Sequence, residues 1–352
     1  MVAAEESAAG EYPNAIELAL EATNLPGELE FAPTCRASSE RGLDECVINP
    51  RATPDAENAV RGTGNRVPIR QRNDEGREVW GAFELAVAGT SHVGRLRKVN
   101  QDAYDRFDDP VRGEILLVVA DGLGGHRGGE TASKMAIGML GKLCFESEGD
   151  PPARLIAATE RANAEIQRLA RKDRTLKGMG TTLVALLLCE KGSSYVVHVG
   201  DSRLYRLRAG ELEALTDDHS VVSLLLRDGS ITHEEAWDHP KRNQILRAVG
   251  VHDEVEVDVT PLDLRAGDAY LLCSDGLHAM LPHADLKALA ERAPDPHAGV
   301  AWMIDAANQA GGSDNITAMM VQIGERNPAD TSTDVPDDAS SGAAGSGQDD
   351  GR

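Results

Sequence analysis

Four aspartates lie at the ends of apolar stretches that have the composition of β-strands. Asp121 follows EILLVVA, Asp275 follows AYLLCS, and Asp201 follows SYVVHVG. In a fourth stretch the order is reversed, and Asp314 precedes ITAMMVQI. A single aspartate at a strand end is usually a turn former. Four of them, on strands that lie side by side, would bring several negative charges to one edge of the sheets.

So many carboxylates at one edge would require bound cations or strongly raised pKa values. Sites built only from oxygen ligands suit hard ions such as Mg²⁺ or Mn²⁺, whereas a zinc site would show histidine and cysteine at ligand spacing. The sequence contains no such spacing. The aspartate pattern therefore predicts a magnesium or manganese centre.

The segment DGLGGHRGGETAS, which follows the EILLVVA strand, has two other readings. A strand that runs through a glycine-rich loop into a helix offers free N–H groups to a phosphate. However, the segment lacks the Lys and Ser/Thr of a Walker loop, and Arg127 stands where a dinucleotide fingerprint needs glycine. The other alternative is a sharp turn in which glycines adopt positive φ and Asp121 acts as a cap.

Upstream of this segment, SHVGRLRKVNQDAYD contains Arg97 and Asp102. A guanidinium near the carboxylate edge could bind a phosphate through two parallel hydrogen bonds. The alternative is an Arg–Asp surface pair of little energetic value.

The elements around these residues come in blocks of strands and blocks of helices, which favours α+β architecture with packed antiparallel sheets over a doubly wound parallel sheet. Residues 217–249 interrupt the strand pattern with two short helical pieces and a polar loop. The hydrophobic periodicity predicts strands over 83–94, 114–122, 181–190, 193–201, 203–215, 268–276 and 316–323, and helices over 129–147, 151–172, 283–292 and 297–310.

The two ends of the chain differ in composition from this central part. Residues 1–82 have little periodicity apart from a helix-like stretch at 14–22, so we expect them to be mostly disordered. Residues 326–352 are acidic and rich in Ser and Gly, as in a flexible tail.

Charge and apolar content exclude several classes of function. The 352 residues carry a formal charge of −22, so a nucleic acid or an anionic membrane is not an expected partner. No run of about 18 apolar residues predicts a membrane span, and MVAAEESAAGEY does not have the pattern of a signal peptide. The expected compartment is the cytoplasm. Its reducing conditions suit the scattered cysteines, which are Cys35, Cys46, Cys144, Cys189 and Cys273.

Taken in series, several motifs give the chain a specific resemblance to a known family. They are GRLRKVNQD, VVADGLGGHRGGETAS, GMGTTLVAL, HVGDSRLYRLRAGELEALTDDHS, LLCSDGL and GGSDNITAMMV. The chain resembles the metal-dependent Ser/Thr protein phosphatases of type 2C, also called the PPM family, and its bacterial branch in particular. The resemblance covers residues 83–325 and implies a four-layer α-β-β-α sandwich, in which 217–249 is the variable flap segment near the active site.

The resemblance also implies roles for individual residues. Asp121 would bridge two Mn²⁺ or Mg²⁺ ions, and the carbonyl of Gly122 would bind one of them. Asp275 and Asp314 would hold the other ion. Asp102 would act through an intervening water. Asp201 would help to bind the third, weaker ion of the bacterial branch.

Two catalytic roles follow from the same resemblance. Arg97 would bind the substrate phosphate, and His126 stands where bacterial members carry the histidine proposed as general acid. Branches of the family place a histidine differently after Asp-Gly, and the alternative for His126 is an exposed loop histidine. His198 lies inside an apolar strand and is predicted to be part of the core.

The sequence departs from the family at one visible position. Many members read Asn-Glu-Asp where this chain reads Asn100-Gln101-Asp102. Glutamine brings no charge, so metal affinity is expected to be lower. All the carboxylates expected to bind metal directly are present, which argues against an inactive member.

The function implied is hydrolysis of phosphoserine and phosphothreonine in proteins by a metal-activated water, by a monomer that opposes a Hanks-type Ser/Thr kinase. One alternative is a stress-switch phosphatase that acts on an anti-sigma-factor antagonist. A second alternative is a non-catalytic module that binds a phosphorylated protein.

Overall fold

The computed structural model describes residues 77–125 and 127–326. Its strands are β1 (Glu78–Trp80), β2 (Phe83–His92), β3 (Ala103–Asp109), β4 (Glu114–Ala120), β5 (Gly122–Leu123), β6 (Gly180–Thr181), β7 (Leu183–Cys189), β8 (Ser194–Val199), β9 (Arg203–Arg208), β10 (Glu211–Ala214), β11 (Asp258–Leu262), β12 (Ala269–Cys273) and β13 (Ile316–Glu325). Its helices are α1 (Gly128–Glu146), α2 (Pro151–Lys172), α3 (Val221–Arg227), α4 (His233–Trp237), α5 (Asp275–His278), α6 (His283–Arg292) and α7 (Pro296–Gln309), with a 3₁₀ turn at Arg174–Leu176.

The two main sheets are antiparallel. One has six strands in the order β1-β2-β13-β12-β9-β10, and the other has five in the order β11-β8-β7-β4-β3. The short strands β5 and β6 pair separately beside the end of β4. This arrangement confirms the predicted α+β class with antiparallel sheets.

Three apolar layers separate four layers of secondary structure. Residues such as Leu117, Leu186 and Val321 fill the space between the two sheets. A second cluster lies between the five-stranded sheet and helices α1 and α2, and a third lies between the six-stranded sheet and helices α6 and α7. The strands β4 and β7 are buried along their whole length because both faces are covered. The predicted α-β-β-α sandwich is therefore confirmed.

Local signals set the helix boundaries as predicted. Helix α2 begins after Asp150, whose side chain accepts a hydrogen bond from the Ala153 N–H, and prolines occupy its first turn. Arg171 and Lys172 lie in its last turn, where the helix dipole stabilises positive charge.

Two strands of the five-stranded sheet, β3 and β11, were not predicted. They are the edge strands, and both have half-exposed patterns rather than an apolar run. β11 also contains Pro261, which a strand tolerates at a sheet edge because its missing N–H is not needed for pairing.

The folded part begins earlier than the sequence predicted. Strand β1 lies inside the segment 1–82 that was expected to be mostly disordered, and it pairs with β2. Trp80 is 2% exposed and stacks on Phe83 at a centroid distance of 6.3 Å. The predicted helix at 14–22 and the tail at 327–352 lie outside the described residues.

The cysteines of the described part, Cys144, Cys189 and Cys273, are buried free thiols. Burial raises the pKa of Cys144 to about 11 and those of Cys189 and Cys273 to about 12. These thiols are therefore protonated at neutral pH and are not nucleophiles. No helix of the described residues is long and apolar enough to cross a membrane.

Candidate metal centre

The strand register brings the predicted aspartates to one end of both sheets. In the five-stranded sheet, Ala103 at the start of β3 pairs with Ala120 at the end of β4, so Asp102 and Asp121 flank the same edge. Strand β8 ends nearby, just before Asp201. In the six-stranded sheet, the end of β12 pairs with the start of β13. Asp275 and Asp314 therefore come from the second sheet to meet the first three residues.

The backbone of Asp121 is fixed from both sides by two threonines. Its N–H donates to Thr182 Oγ1 at 2.9 Å, and its carbonyl accepts from Thr181 Oγ1 and Thr182 N, both at 2.8 Å. The carboxylate is left to interact with the negative charges of Asp102, Asp275 and Asp201. Asp121 is thus central to the cluster.

Gly122 leaves no room for a side chain beside this carboxylate. A Cβ at Gly122 would lie 2.2 Å from the carbonyl oxygen of Gly129 and 2.6 Å from that of Gln101. Only glycine permits this close approach. The backbone of Gly122, whose carbonyl is a candidate metal ligand, therefore packs directly against Gln101 and Gly129.

Hydroxyl groups from the other sheet orient Asp102. Ser274 Oγ and Thr317 Oγ1 each donate to Asp102 Oδ2 at 2.7 Å, and Thr317 N donates to Ser274 Oγ at 3.0 Å. The second oxygen, Oδ1, is buried without a hydrogen-bond partner in the described part of the chain. The same is true of Asp275 Oδ1. Buried carboxylate oxygens without donors fit a bound cation, because desolvation without a partner is costly.

The carboxyl pKa values point the same way. Burial raises the pKa of Asp102 to about 7 and, together with the charge of Asp314, raises that of Asp275 to about 6. Burial and the neighbouring carboxylates raise the pKa values of Asp121 and Asp201 well above the ordinary range of aspartate. Without a bound cation, the ionised form of these carboxylates is therefore disfavoured. The candidate metal ligands are all oxygen atoms, which fits Mg²⁺ or Mn²⁺.

Arg97 lies next to the cluster, as predicted, but its partner is not Asp102. Its Nη2 donates to Asp314 Oδ2 at 2.7 Å, and its side chain is 52% exposed. The loop is held there because Arg95 N donates to Gly312 O at 2.7 Å. Gly94, at φ +78°, passes so close that a Cβ would lie 2.1 Å from the Asp314 carbonyl. The exposed guanidinium is thus held at the opening of the carboxylate cluster.

Gln101, the residue that departs from the family pattern, connects its own loop to two other loops and to helix α1. Its Nε2 donates to Gly124 O at 3.0 Å, its N–H donates to Asn315 Oδ1 at 2.8 Å, and its carbonyl accepts from Ser133 Oγ at 2.6 Å. A glutamate could not donate the first of these bonds. Glutamine therefore stabilises the glycine loop at this position.

A second polar cluster contains His198, His219 and Asp258, with ligand atoms within 4.8 Å of one another. The Gly200 N–H donates to His219 Nδ1 at 3.1 Å, so Nε2 bears the proton and faces Asp258 Oδ2 at 3.1 Å. Arg247 Nη1 lies 3.1 Å from Asp258 Oδ1 and supplies positive charge. This tautomer of His219 offers no Nε2 lone pair to a metal, so His219, Asp258 and Arg247 form a hydrogen-bonded network with an ion pair. His198 is buried, as predicted.

A cavity of about 640 Å³ opens beside the carboxylates. Asp201, Asp275 and Asp314 line one side, and the flap helices α3 and α4 line another, with Trp237 half exposed at the wall. The flap segment therefore faces the same space as the aspartates. His126, the candidate general acid, lies outside the described residues.

Comparisons with known proteins assign the chain to a family. Residues 88–309 match the family model described as protein phosphatase 2C. The chain therefore belongs to the protein phosphatase 2C family, which confirms the resemblance read from its motifs.

Particular relatives support the same assignment. The chain is 39% identical to the serine/threonine phosphatase stp of Listeria monocytogenes over 236 residues, which cover 65% of this chain and 92% of that one. It is also 41% identical to the serine/threonine protein phosphatase PstP of Mycobacterium tuberculosis. That alignment spans 241 residues, which are 68% of this chain and 45% of that one.

Solved structures agree with these relatives. The crystal structure of M. tuberculosis PstP superposes with a TM-score of 0.62 at 38% identity and covers 68% of this chain and 99% of that one. A PstP catalytic domain solved in complex with two manganese ions gives a TM-score of 0.60 at 35% identity, with 68% and 99% coverage.

A pH-dependent stability is expected for the metal-free protein. Between pH 6.5 and 8, with chelator present, the melting temperature should fall by at least about 5 °C. The folded protein holds protons on Asp102, Asp121 and Asp201 that the unfolded chain has already lost, so stability decreases as pH rises through the folded pKa values. Thermal melts followed by circular dichroism at several pH values would measure the slope of melting temperature against pH.

The pH window leaves only a small opposing contribution. Burial lowers the pKa values of His198 and His278 to about 4 and about 3, so both raise stability with pH only until the unfolded histidines have lost their protons, which is largely complete by about pH 7.5. Asp102→Asn should give a shallower slope. A melting temperature that rises between pH 6.5 and 8 would contradict the raised carboxyl pKa values.

Proposed function

We propose that the chain hydrolyses phosphoserine and phosphothreonine in proteins with the help of bound Mn²⁺ or Mg²⁺. The observation that carries the proposal is the cluster of five aspartates, with buried oxygens that lack donors, beside the exposed guanidinium of Arg97. The relatives named above are serine/threonine phosphatases, and one was solved with two manganese ions. Their names supply the substrate class.

The roles of the site residues are part of this proposal. Asp121 and the Gly122 carbonyl would hold one cation, and Asp121 would share the second with Asp275 and Asp314. Asp102 would act through an intervening water at Oδ1, the oxygen that the two hydroxyls leave free. A third cation would use Asp201.

When bound, two such cations lower the pKa of a water and neutralise phosphoryl oxygens. The chain itself provides the remaining functions. Arg97 lies at the opening of the cluster, where its guanidinium can bind and orient the phosphate. Asp102 and Asp201 are each less than a tenth exposed, so bulk solvent has little access to their carboxylates. His126 remains the sequence-based candidate for protonating the leaving serine or threonine oxygen.

The setting of the enzyme is proposed in the same terms. Residues 83–325 would form the phosphatase domain, preceded by β1, and residues 217–249 would form its flap. The expected partner is a Ser/Thr kinase together with its phosphorylated substrates, and the expected compartment is the cytoplasm. We expect the protein to act as a monomer.

The test is release of phosphate from a phosphothreonine peptide by wild type with Mn²⁺, by wild type with chelator, and by Asp275→Asn. We expect turnover only for wild type with Mn²⁺, because Asp275 Oδ1 is a buried acceptor without a hydrogen-bond partner among the described residues. Activity should fall by at least about 10³-fold in the variant.

Two outcomes would separate the alternatives. If wild type binds the phosphopeptide but does not turn it over at any Mn²⁺ concentration, the binding-module hypothesis replaces the phosphatase. If chelator leaves turnover unchanged, the metal requirement is wrong.

A further inference from the structure

The loop that carries Asp201 is held between two other parts of the carboxylate cluster. On one side, Ser202 Oγ lies 2.7 Å from Thr182 Oγ1, the same hydroxyl that accepts the Asp121 N–H. On the other side, His278 Nε2 lies 2.9 Å from the Asp201 carbonyl oxygen. The first contact ties the Asp201 loop to the threonine that holds the Asp121 backbone, and the second ties it to the helix that begins with Asp275.

The histidine contact has a fixed direction. A carbonyl oxygen can only accept, so His278 Nε2 carries the proton and donates it. His278 is the last residue of α5, the short helix whose first residue is Asp275. Because four residues make one helical turn, the position of the imidazole is set by the same turn that positions Asp275.

The carboxylates of Asp201 and Asp275 are close enough for the charge of Asp275 to raise the pKa of Asp201. Asp201 lies between β8 of one sheet and β9 of the other, and Arg203 at the start of β9 pairs with Cys273 at the end of β12. This pairing brings Asp201 and Asp275 to the same edge of the six-stranded sheet, but the ladder ends before it reaches either aspartate. The His278 hydrogen bond is a direct link between the two loops.

We propose that His278 is a positioning residue whose hydrogen bond to the Asp201 carbonyl fixes the backbone of Asp201 relative to Asp275, beyond the end of the β9–β12 ladder. The proposal rests on the proposed function, because it assumes that these two carboxylates hold a cation together. Loss of the bond should weaken the binding of that cation, since groups that orient ligands affect metal affinity nearly as strongly as the ligands do. The cations held mainly by Asp121 should be less affected.

The experiment is a Mn²⁺ titration of the full chain in which free Mn²⁺ is measured by electron paramagnetic resonance. In His278→Leu, which removes the donor, the weakest Mn²⁺ binding step should be weakened by about tenfold or more. In His278→Gln, whose amide nitrogen can replace Nε2, affinity should return to within about threefold of wild type. This rescue separates positioning from a general loss of packing.

A matched control is available in the next helix. His283 Nε2 makes the same kind of bond, at 3.0 Å, to the carbonyl oxygen of Leu212. His283→Leu loses an equivalent hydrogen bond whose acceptor, Leu212, is not part of the carboxylate cluster, so its Mn²⁺ binding should match wild type. If His278→Leu does not fold, His278→Asn tests the same point, since its shorter amide should not reach Asp201.

The possible failures are distinguishable. If wild type binds Mn²⁺ and the His278 variants bind it equally well at every step, the positioning role is wrong and the proposed function stands. Equal weakening in the His278 and His283 variants would also overturn the role, because it would reflect general destabilisation. If wild type binds no Mn²⁺, the proposed function fails, and the role of His278 fails with it.

Discussion

Replacing Asp121 by asparagine is expected to lower Mn²⁺-dependent hydrolysis of a phosphothreonine peptide by at least about 10³-fold. Asp121 interacts with the charges of three other aspartates, and its backbone is fixed by Thr181 and Thr182. The amide keeps the shape of the side chain but removes the charge that two cations would share. The change should therefore affect metal binding and catalysis together.

Two measurements are needed to interpret this variant. Steady-state kinetics gives the loss of activity, and a Mn²⁺ titration gives the loss of affinity. A separate melt at pH 8 with chelator should show the variant to be more stable than wild type, because one carboxylate of raised pKa has been removed. Higher stability together with lost activity would exclude misfolding as the cause.

The matched control is Asp105→Asn, which changes an exposed aspartate on β3. It alters net charge by the same amount and should leave both kinetics and Mn²⁺ binding unchanged. If Asp121→Asn retained activity within about tenfold of wild type, Asp121 could not be the shared ligand.

The second large effect is expected at Arg97. Arg97→Gln should lower kcat/KM for the phosphopeptide by about 10²-fold, while Mn²⁺ affinity stays equal to that of wild type or increases. The guanidinium now pairs with Asp314 at 2.7 Å and so competes with a cation for that carboxylate. Removing it leaves Asp314 free, whereas the phosphate loses its two-point partner.

Arg97→Lys should have intermediate activity, because lysine keeps the charge but lacks the planar fork. Arg95→Gln is the matched control, since Arg95 is an exposed neighbour in the same loop. Kinetics over a range of peptide and Mn²⁺ concentrations would separate the two effects. Full activity of Arg97→Gln would place phosphate binding at another residue, and weakened Mn²⁺ binding would show that Arg97 supports the metal site.

Much of the fold was predictable from the sequence because the central strands are apolar along their length. Strands β4 and β7 are covered on both faces, so every residue in them is buried and the pattern is unambiguous. The edge strands β3 and β11 have no such pattern. Their conformation depends on pairing with the neighbouring strand, which leaves no pattern in their own sequence.

The candidate site divides in a similar way. The sequence alone determined which residues could bind metal, because aspartates stand where apolar strands end, and the motif series determined the family. It also placed Arg97 near the cluster. The alternative that the sequence offered, a surface pair between Arg97 and Asp102, was wrong. The Arg97 side chain pairs instead with Asp314 from the other sheet.

Only the tertiary structure decided how the two sheets meet at their ends. Asp102 is oriented by Ser274 and Thr317, which lie more than 170 residues away in the chain, and Asp201 is tied to the turn of Asp275 by His278. These bonds have no local sequence signal, because they depend on the packing of one sheet against the other. The sequence determined the candidate ligands, and the packing of the sheets determined their geometry.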